Sequence, residues 1–183
     1  AKMNKFFELA RMLSTLQGEE YQGSVIARAS WQKVLQDDRT GVFIHRKGKN
    51  FQQVECSCAA ENGGREILHV MLMLGGKRPE RQERAADPAA AQGAWSRKFS
   101  AGEITDFVSR VNDRNGIHQG DTPVVPGLLL LQDILEKYPA QPAELRFYHA
   151  VFAAETIWLQ KTATGILAYA AGKKVFTAQI GQR

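Results

Sequence analysis

The segment from Asn112 to Gly127 reads NDRNGIHQGDTPVVPG. It contains one histidine, two aspartates and three glycines. Helical spacing of apolar residues predicts a helix on either side of it. The helix before it is expected over 101–111, with a capping box formed by Ser100 and Glu103. The helix after it is expected to start at Pro126. A polar, glycine-bearing loop in this position indicates a functional site rather than part of the core.

Two groups in this loop are suited to acid–base chemistry. Histidine is the side-chain type most often used for proton transfer in enzymes, and Asp113 lies five residues before His118. The start of the next helix presents unpaired N–H groups, so the amide of Gly127 or Leu128 is expected to stabilise negative charge on a carbonyl oxygen. We therefore expect Asp113 and His118 to converge on one water molecule, beside that helix start. The alternative is that Asp113 only turns or caps the loop.

The segment D-R-N-G-I-H at 113–118 resembles the D-x-N-P-x-H motif of MaoC-like (R)-specific enoyl-CoA hydratases. The resemblance implies that Asp113 and His118 are catalytic and hold the water. It also implies that Asn115 helps to orient the site, so we expect Asn115, Gly127 and Leu128 to bind the substrate. Gly116 occupies the position of the motif's proline.

The residues that follow resemble a second branch of the same superfamily. His118 together with P-V-V-P-G-L-L-L-L at 123–131 is similar to FabA/FabZ-type 3-hydroxyacyl-carrier-protein dehydratases, and 145–159 is similar to a strand of both branches. The acid that the second branch carries on its central helix falls here at Gln132, which cannot transfer a proton as a carboxylic acid does. Asp133 lies about 100° further round the helix. We therefore expect the Asp113–His118 pair to act.

The resemblance, which covers about 97–180, implies an α+β hotdog fold, in which an antiparallel sheet wraps around a central helix. The first part of the chain has a similar order, with a helix over 3–16 followed by about four strands. Strands are expected at 24–35, 41–46, 51–60, 65–74, 144–152, 155–162, 166–171 and 174–180. We therefore predict one continuous sheet in a double hotdog, with a degenerate repeat at 1–75, an exposed, mobile linker at 76–94 and a catalytic-type repeat at 95–183. The alternative is one mixed domain.

The amino-acid composition indicates which general classes of protein this chain resembles. The 183 residues are 44% hydrophobic and 23% charged, which is typical of a globular protein. The net charge of +5 is spread out, and the densest basic run, 77–84, is interrupted by acids, so we expect no nucleic-acid partner.

Cys56 and Cys58 share one side of a predicted strand and are expected to be buried thiols rather than a disulfide or half a metal site. Without a spanning apolar segment or a secretory signal, we expect no membrane association and a cytoplasmic location.

These features together favour a hydro-lyase that interconverts trans-2-enoyl and (R)-3-hydroxyacyl thioesters. The expected partner is a thioester of coenzyme A or of acyl carrier protein, and a homodimer of double hotdogs is left open. The resemblance implies no metal and no other cofactor. Two alternatives remain: a hotdog acyl thioesterase, or a non-catalytic module that binds acyl thioesters or carrier protein. His45, His69 and His149 lie on predicted strands and are expected to be incidental.

Overall fold

The computed structural model describes residues 4–36, 39–81 and 93–181. Its helices are α1 (Phe6–Leu13), α2 (Ala101–Val111) and α3 (Gly127–Lys137), with short 3-10 helices at Glu19–Tyr21 and Gly116–His118. Its strands are β1 (Val25–Val34), β2 (Gly41–Lys47), β3 (Phe51–Ala59), β4 (Arg65–Met73), β5 (Trp95–Lys98), β6 (Ala143–Phe147), β7 (Thr156–Lys161), β8 (Gly165–Ala170) and β9 (Lys173–Ile180).

The strands form one nine-stranded sheet in the order β2-β3-β4-β1-β6-β9-β8-β7-β5. β1 and β6 pair antiparallel at its centre, where residues Arg28 to Trp31 lie opposite Arg146 to Ala143. Read outward from this seam, β1-β4-β3-β2 on one side corresponds in chain order to β6-β9-β8-β7 on the other. The prediction of one continuous sheet is confirmed, and its mirrored strand order supports two repeats. Within the described residues, the first repeat has no counterpart of β5.

The position of α3 determines where the two repeats meet around a helix start. α3 packs against β1 and β6, the two strands of the seam, whereas α1 packs against β2, β3 and β4. A Cβ atom added to Gly127 would lie 3.3 Å from the Cβ of Ile26 on β1 and 3.2 Å from Cζ of Phe147 on β6. Because Gly127 has no side chain, the start of α3 can approach both repeats closely.

Two elements are shorter than the sequence pattern predicts. α1 ends at Leu13 rather than 16, and the Ser14 hydroxyl donates to the carbonyl of Ala10 in its last turn. β6 ends at Phe147 rather than 152, because the chain leaves the sheet to pair with the loop before α3. There, Val125 N donates to Val151 O at 2.8 Å, and Ala153 N donates to Pro123 O at 3.0 Å.

The predicted linker is only partly described, because residues 82–92 lie outside the described ranges. Its expected mobility and the repeat boundaries at 75 and 95 stay predictions. None of the helices in the described part of the chain is long and apolar enough to cross a membrane.

The two cysteines are free thiols in the core, as the alternation on β3 predicts. Burial, followed by the charge of Glu55 and the neighbouring Cys58, raises the pKa of the Cys56 thiol to about 12. Burial, with Glu66 as the next cause, raises the pKa of the Cys58 thiol to about 11. Both thiols therefore stay protonated at neutral pH and behave as small apolar side chains.

Candidate active site

Asp113 is directed into the interior by the way α2 ends. Asn112 adopts a left-handed conformation with φ 58°, and Asp113 N donates to Val108 O at 2.9 Å. This C-terminal cap reverses the chain within two residues. Asn115 N then donates to Asp113 Oδ1 at 2.9 Å, and Asp113 Oδ2 lies 3.4 Å from His118 Nε2. One carboxylate oxygen is thus held by the loop, and the other faces the imidazole.

The hydrogen bond at the other ring nitrogen fixes the tautomer of His118. His118 Nδ1 lies 2.7 Å from the carbonyl oxygen of Val124. A carbonyl oxygen can only accept, so Nδ1 carries a proton, and in the neutral ring Nε2 has a free lone pair. The side chain of His118 is 8% exposed. Its basic nitrogen therefore faces Asp113 in a largely enclosed position.

Asp113 is ionised at neutral pH. Burial alone raises the pKa of its carboxyl group, but the hydrogen bond and charge that His118 supplies when it is protonated, together with the N–H of Asn115, lower it by more. The net pKa lies below the ordinary value for aspartate. The carboxylate can therefore orient a water molecule or stabilise an imidazolium without being protonated itself.

The pair borders a cavity of about 840 Å³ between the two repeats. All five residues singled out in the sequence border this cavity: Asp113, Asn115, His118, Gly127 and Leu128. Apolar side chains from both repeats line the rest of the wall, among them Leu13, Ile26, Leu72, Leu130 and Val151. An apolar cavity with a few converging polar groups is the usual form of a small-molecule site.

The start of α3 borders this cavity and contains two amides without a hydrogen-bond partner within the described residues. Leu129 N and Leu130 N both donate to the carbonyl of Pro126, at 3.0 and 3.2 Å. Within the described residues, no hydrogen-bond acceptor contacts the N–H groups of Gly127 or Leu128. These two donors, at the positive end of the helix dipole, are suited to receive a partly negative oxygen.

The side chain of Asn115 hydrogen-bonds to backbone groups of its own loop and of the segment before β1. Its Oδ1 accepts from Gly23 N at 3.0 Å and from Ile117 N at 3.4 Å, and its Nδ2 donates to Ser24 O at 2.7 Å. The amide thus ties the loop to the first repeat. Its expected contact with substrate stays a prediction.

The polar side chains of the central helix do not border the cavity. Gln132 donates to Glu136 one turn along α3. Asp133 Oδ1 accepts from Arg97 Nε at 3.1 Å, and Arg97 also contacts Glu103 at 2.8 Å. Among the described residues, α3 therefore brings no carboxylate into the cavity.

The cavity residues that were not predicted from the sequence as site residues include Tyr148, His149 and Glu155. The expectation that His149 lies on a strand is wrong, because β6 has already ended at Phe147. Glu155 is 4% exposed, which places a buried carboxylate at the cavity wall beside the partly exposed Asp113. The signal that could have located them is the A-x-x-x-A-E stretch at 150–155, where small residues interrupt the strand pattern.

His45 and His69 do lie on strands, β2 and β4, and they do not border the cavity. Their Nε2 atoms lie 3.6 and 3.4 Å from the same carboxylate oxygen, Oε1 of Glu55. Glu55 is 6% exposed. Burial lowers the pKa of His69, and the opposing effect of Glu55 is smaller.

The lowered pKa of His69 predicts a loss of stability in mild acid. The unfolded chain takes up this proton near pH 6.5 and the folded chain only at lower pH, so the free energy of unfolding decreases as pH falls through that window. Denaturant unfolding at pH 7.0, 6.0 and 5.0 should show this decrease, and His69→Gln should reduce its slope. The control His149→Gln should keep the wild-type slope. Equal slopes in wild type and His69→Gln would contradict the prediction.

Within the part of the chain that the structure describes, no group of three or more His, Cys, Asp or Glu side chains is arranged to hold a metal ion.

Comparison with solved structures identifies proteins of similar fold. The chain is similar to HtdX of Mycobacterium tuberculosis, with a TM-score of 0.67 and 14% identity over 100% of this chain and 88% of that one. It is similar to a MaoC-like dehydratase of Phytophthora capsici, with a TM-score of 0.55 and 16% identity over 87% and 72% of the two chains. It is also similar to a 12:0-ACP thioesterase of Umbellularia californica, with a TM-score of 0.53 and 11% identity over 87% and 75%.

No protein-family model and no curated protein sequence matches the chain. The structural likenesses span nearly the whole chain and confirm the predicted hotdog fold. Both dehydratases and thioesterases are found among proteins of this shape, so the fold alone does not decide between these reactions.

Proposed function

We propose that this protein is a hydro-lyase that adds water reversibly to a trans-2-enoyl thioester and forms the (R)-3-hydroxyacyl thioester. The observation that carries the proposal is the Asp113–His118 pair, 3.4 Å apart at the wall of the cavity, which the start of α3 also borders. Acid–base groups on a substrate-sized cavity, close to amide donors, are the arrangement that addition to an activated double bond requires.

In the hydration direction, a water molecule beside the pair donates one hydrogen to Asp113 Oδ2 and the other to His118 Nε2. His118 Nε2 accepts one proton of the water as its oxygen bonds to C3 of the enoyl group. Asp113 holds the other hydrogen and stabilises the imidazolium. His118 then returns the proton to C2, so that H and OH have been added across the double bond and both residues are restored.

Negative charge develops on the thioester oxygen when the C3–O bond forms. The N–H groups of Gly127 and Leu128 are the proposed donors to that oxygen, because they have no other acceptor within the described residues. Such preorganised amides stabilise an enolate more than the neutral ground state. The apolar wall shared by the two repeats is the proposed site of the acyl chain, carried by coenzyme A or acyl carrier protein.

The arrangement of α3 favours a lyase over a thioesterase with its acid on the central helix. Asp133 contacts Arg97 and Glu136 contacts Gln132, so neither carboxylate reaches the cavity.

The proposal predicts loss of the enoyl chromophore without release of thiol. Crotonyl and longer enoyl thioesters should lose ultraviolet absorbance when mixed with the protein, while a thiol reagent added in parallel detects no free thiol. Stoichiometric thiol release would indicate a thioesterase instead. Binding of the thioester with neither change would indicate a binding module.

A further inference from the structure

The loop that carries Asp113 and His118 is held by a side chain of the first repeat, Gln22, which also borders the cavity. Gln22 lies just before β1. Its Nε2 donates to Arg114 O at 3.2 Å, and its Oε1 accepts from Gly116 N at 3.2 Å. One carboxamide thus bridges the two peptide groups on either side of Asn115.

The loop and the segment before β1 each hold the other with a side chain. The side chain of Asn115 bonds to the backbone of Gly23 and Ser24, while the side chain of Gln22 bonds to the backbone next to Asn115. The guanidinium of Arg78 donates to Gly116 O at 3.2 Å and to Gln119 O, in the same loop. The turn between Asp113 and His118 is therefore fixed by residues of the first repeat and of the segment that follows it.

The hydrogen bond to Gln22 Oε1 requires a backbone N–H at position 116, which Gly116 provides. A proline here, as in the motif that this loop resembles, has no N–H and could not donate to Gln22 Oε1. A Cβ atom at Gly116 would meet only Gln22 Oε1, at 3.7 Å, so alanine fits without strain. Asn115 has φ −68° and ψ 118°, a conformation that is also compatible with a following proline.

We propose that Gln22 is a positioning residue for the Asp113–His118 pair. By hydrogen bonding, it restricts the Arg114–Gly116 backbone, which a proline ring at position 116 would restrict covalently. This inference rests on the proposed function of the pair. Within the described residues, Gln22 hydrogen-bonds to neither the Asp113 nor the His118 side chain, but to the backbone between them. It acts by holding the carboxylate and the imidazole at their separation.

The expected effect of Gln22→Ala is a loss in kcat of about tenfold with KM within about twofold, because a loosened loop misplaces the groups that act only in the transition state. Gln22 is exposed, so the core and the melting temperature should hardly change. Gln132→Ala is the matched control. It removes a carboxamide that contacts Glu136 outside the cavity, and it should leave both constants unchanged.

Two double variants test the proline comparison. Gln22→Ala with Gly116→Pro should recover most of kcat, because the ring restricts the loop and the shortened side chain leaves room for it. Gln22→Ala with Gly116→Ala, which lacks the ring, should remain as slow as Gln22→Ala. If both double variants recover equally, or if Gln22→Ala has wild-type kcat, the proposal is wrong.

A second measurement separates this inference from the proposed reaction. Amide hydrogen exchange at Gly116 should be about tenfold faster in Gln22→Ala than in wild type, and the imidazole NMR signals of His118 should shift. If wild type hydrates no enoyl thioester but these changes occur, the reaction is wrong and the positioning role stands. Unchanged exchange and unchanged signals would overturn the positioning role whatever the enzyme does.

Discussion

Replacing His118 with alanine should lower hydration of an enoyl thioester by about a hundredfold or more, and Asp113→Asn should lower it by a similar factor. His118 supplies the basic Nε2, and Asp113 is the ionised group that faces it at 3.4 Å. The loss should fall on kcat, with thioester binding retained. Circular dichroism and a melting curve of each variant establish that the fold is intact.

The control for this pair is Gln132→Ala, measured with the same substrates. Gln132 lies on α3 and does not border the cavity, so activity should stay within about twofold of wild type. Suppose instead that Gln132→Ala abolished hydration and Asp113→Asn did not. The reacting acid would then belong to the central helix, and the assignment of Asp113 would be wrong.

Gly165→Ala should be severely destabilising. A Cβ atom at Gly165 would lie 1.8 Å from the carbonyl oxygen of Ala178, a backbone atom on the neighbouring strand β9. Since β8 and β9 must separate to admit a methyl group, we expect a loss of about 3 kcal/mol in the free energy of unfolding or more. For a chain of this size, that corresponds to a fall in melting temperature of roughly 6–12 °C.

Gly102→Ala is the matched control for that substitution. Gly102 is exposed on α2, and its added Cβ would meet only the Ser100 hydroxyl, at 3.7 Å. Alanine should stabilise the helix there by about 0.5–1 kcal/mol. A Gly165→Ala protein as stable as Gly102→Ala would show that β8 and β9 are not paired in this register.

Local sequence patterns were sufficient for most of the fold. The capping residues Ser100 and Glu103 place the start of α2, and the predicted helix over 101–111 matches the structure. The first four strands differ from their expected bounds by about one residue, because alternation and the turn at Asn62-Gly63 are local signals. The motif at 113–118 placed Asp113 and His118 together without any three-dimensional information.

Features that depend on distant parts of the chain were not predicted. β6 ends early because residues 151 and 153 find backbone partners at 125 and 123, which no pattern within β6 encodes. For the same reason, the cavity residues Tyr148, His149 and Glu155 were missed. The contacts of Asn115 and Gln22 join positions more than 90 residues apart, so local periodicity carries no trace of them.

The most direct test of the central claim is isotope labelling. Enoyl thioester is incubated with the protein in water enriched in oxygen-18, and the products are analysed by mass spectrometry and chiral chromatography. We predict an intact thioester that has gained one labelled water, with the label on C3 and (R) configuration, and about a hundredfold slower formation of it with His118→Ala. Two results would contradict the proposed hydration. One is label in a free carboxylate together with released thiol, and the other is no labelled product from the wild-type protein.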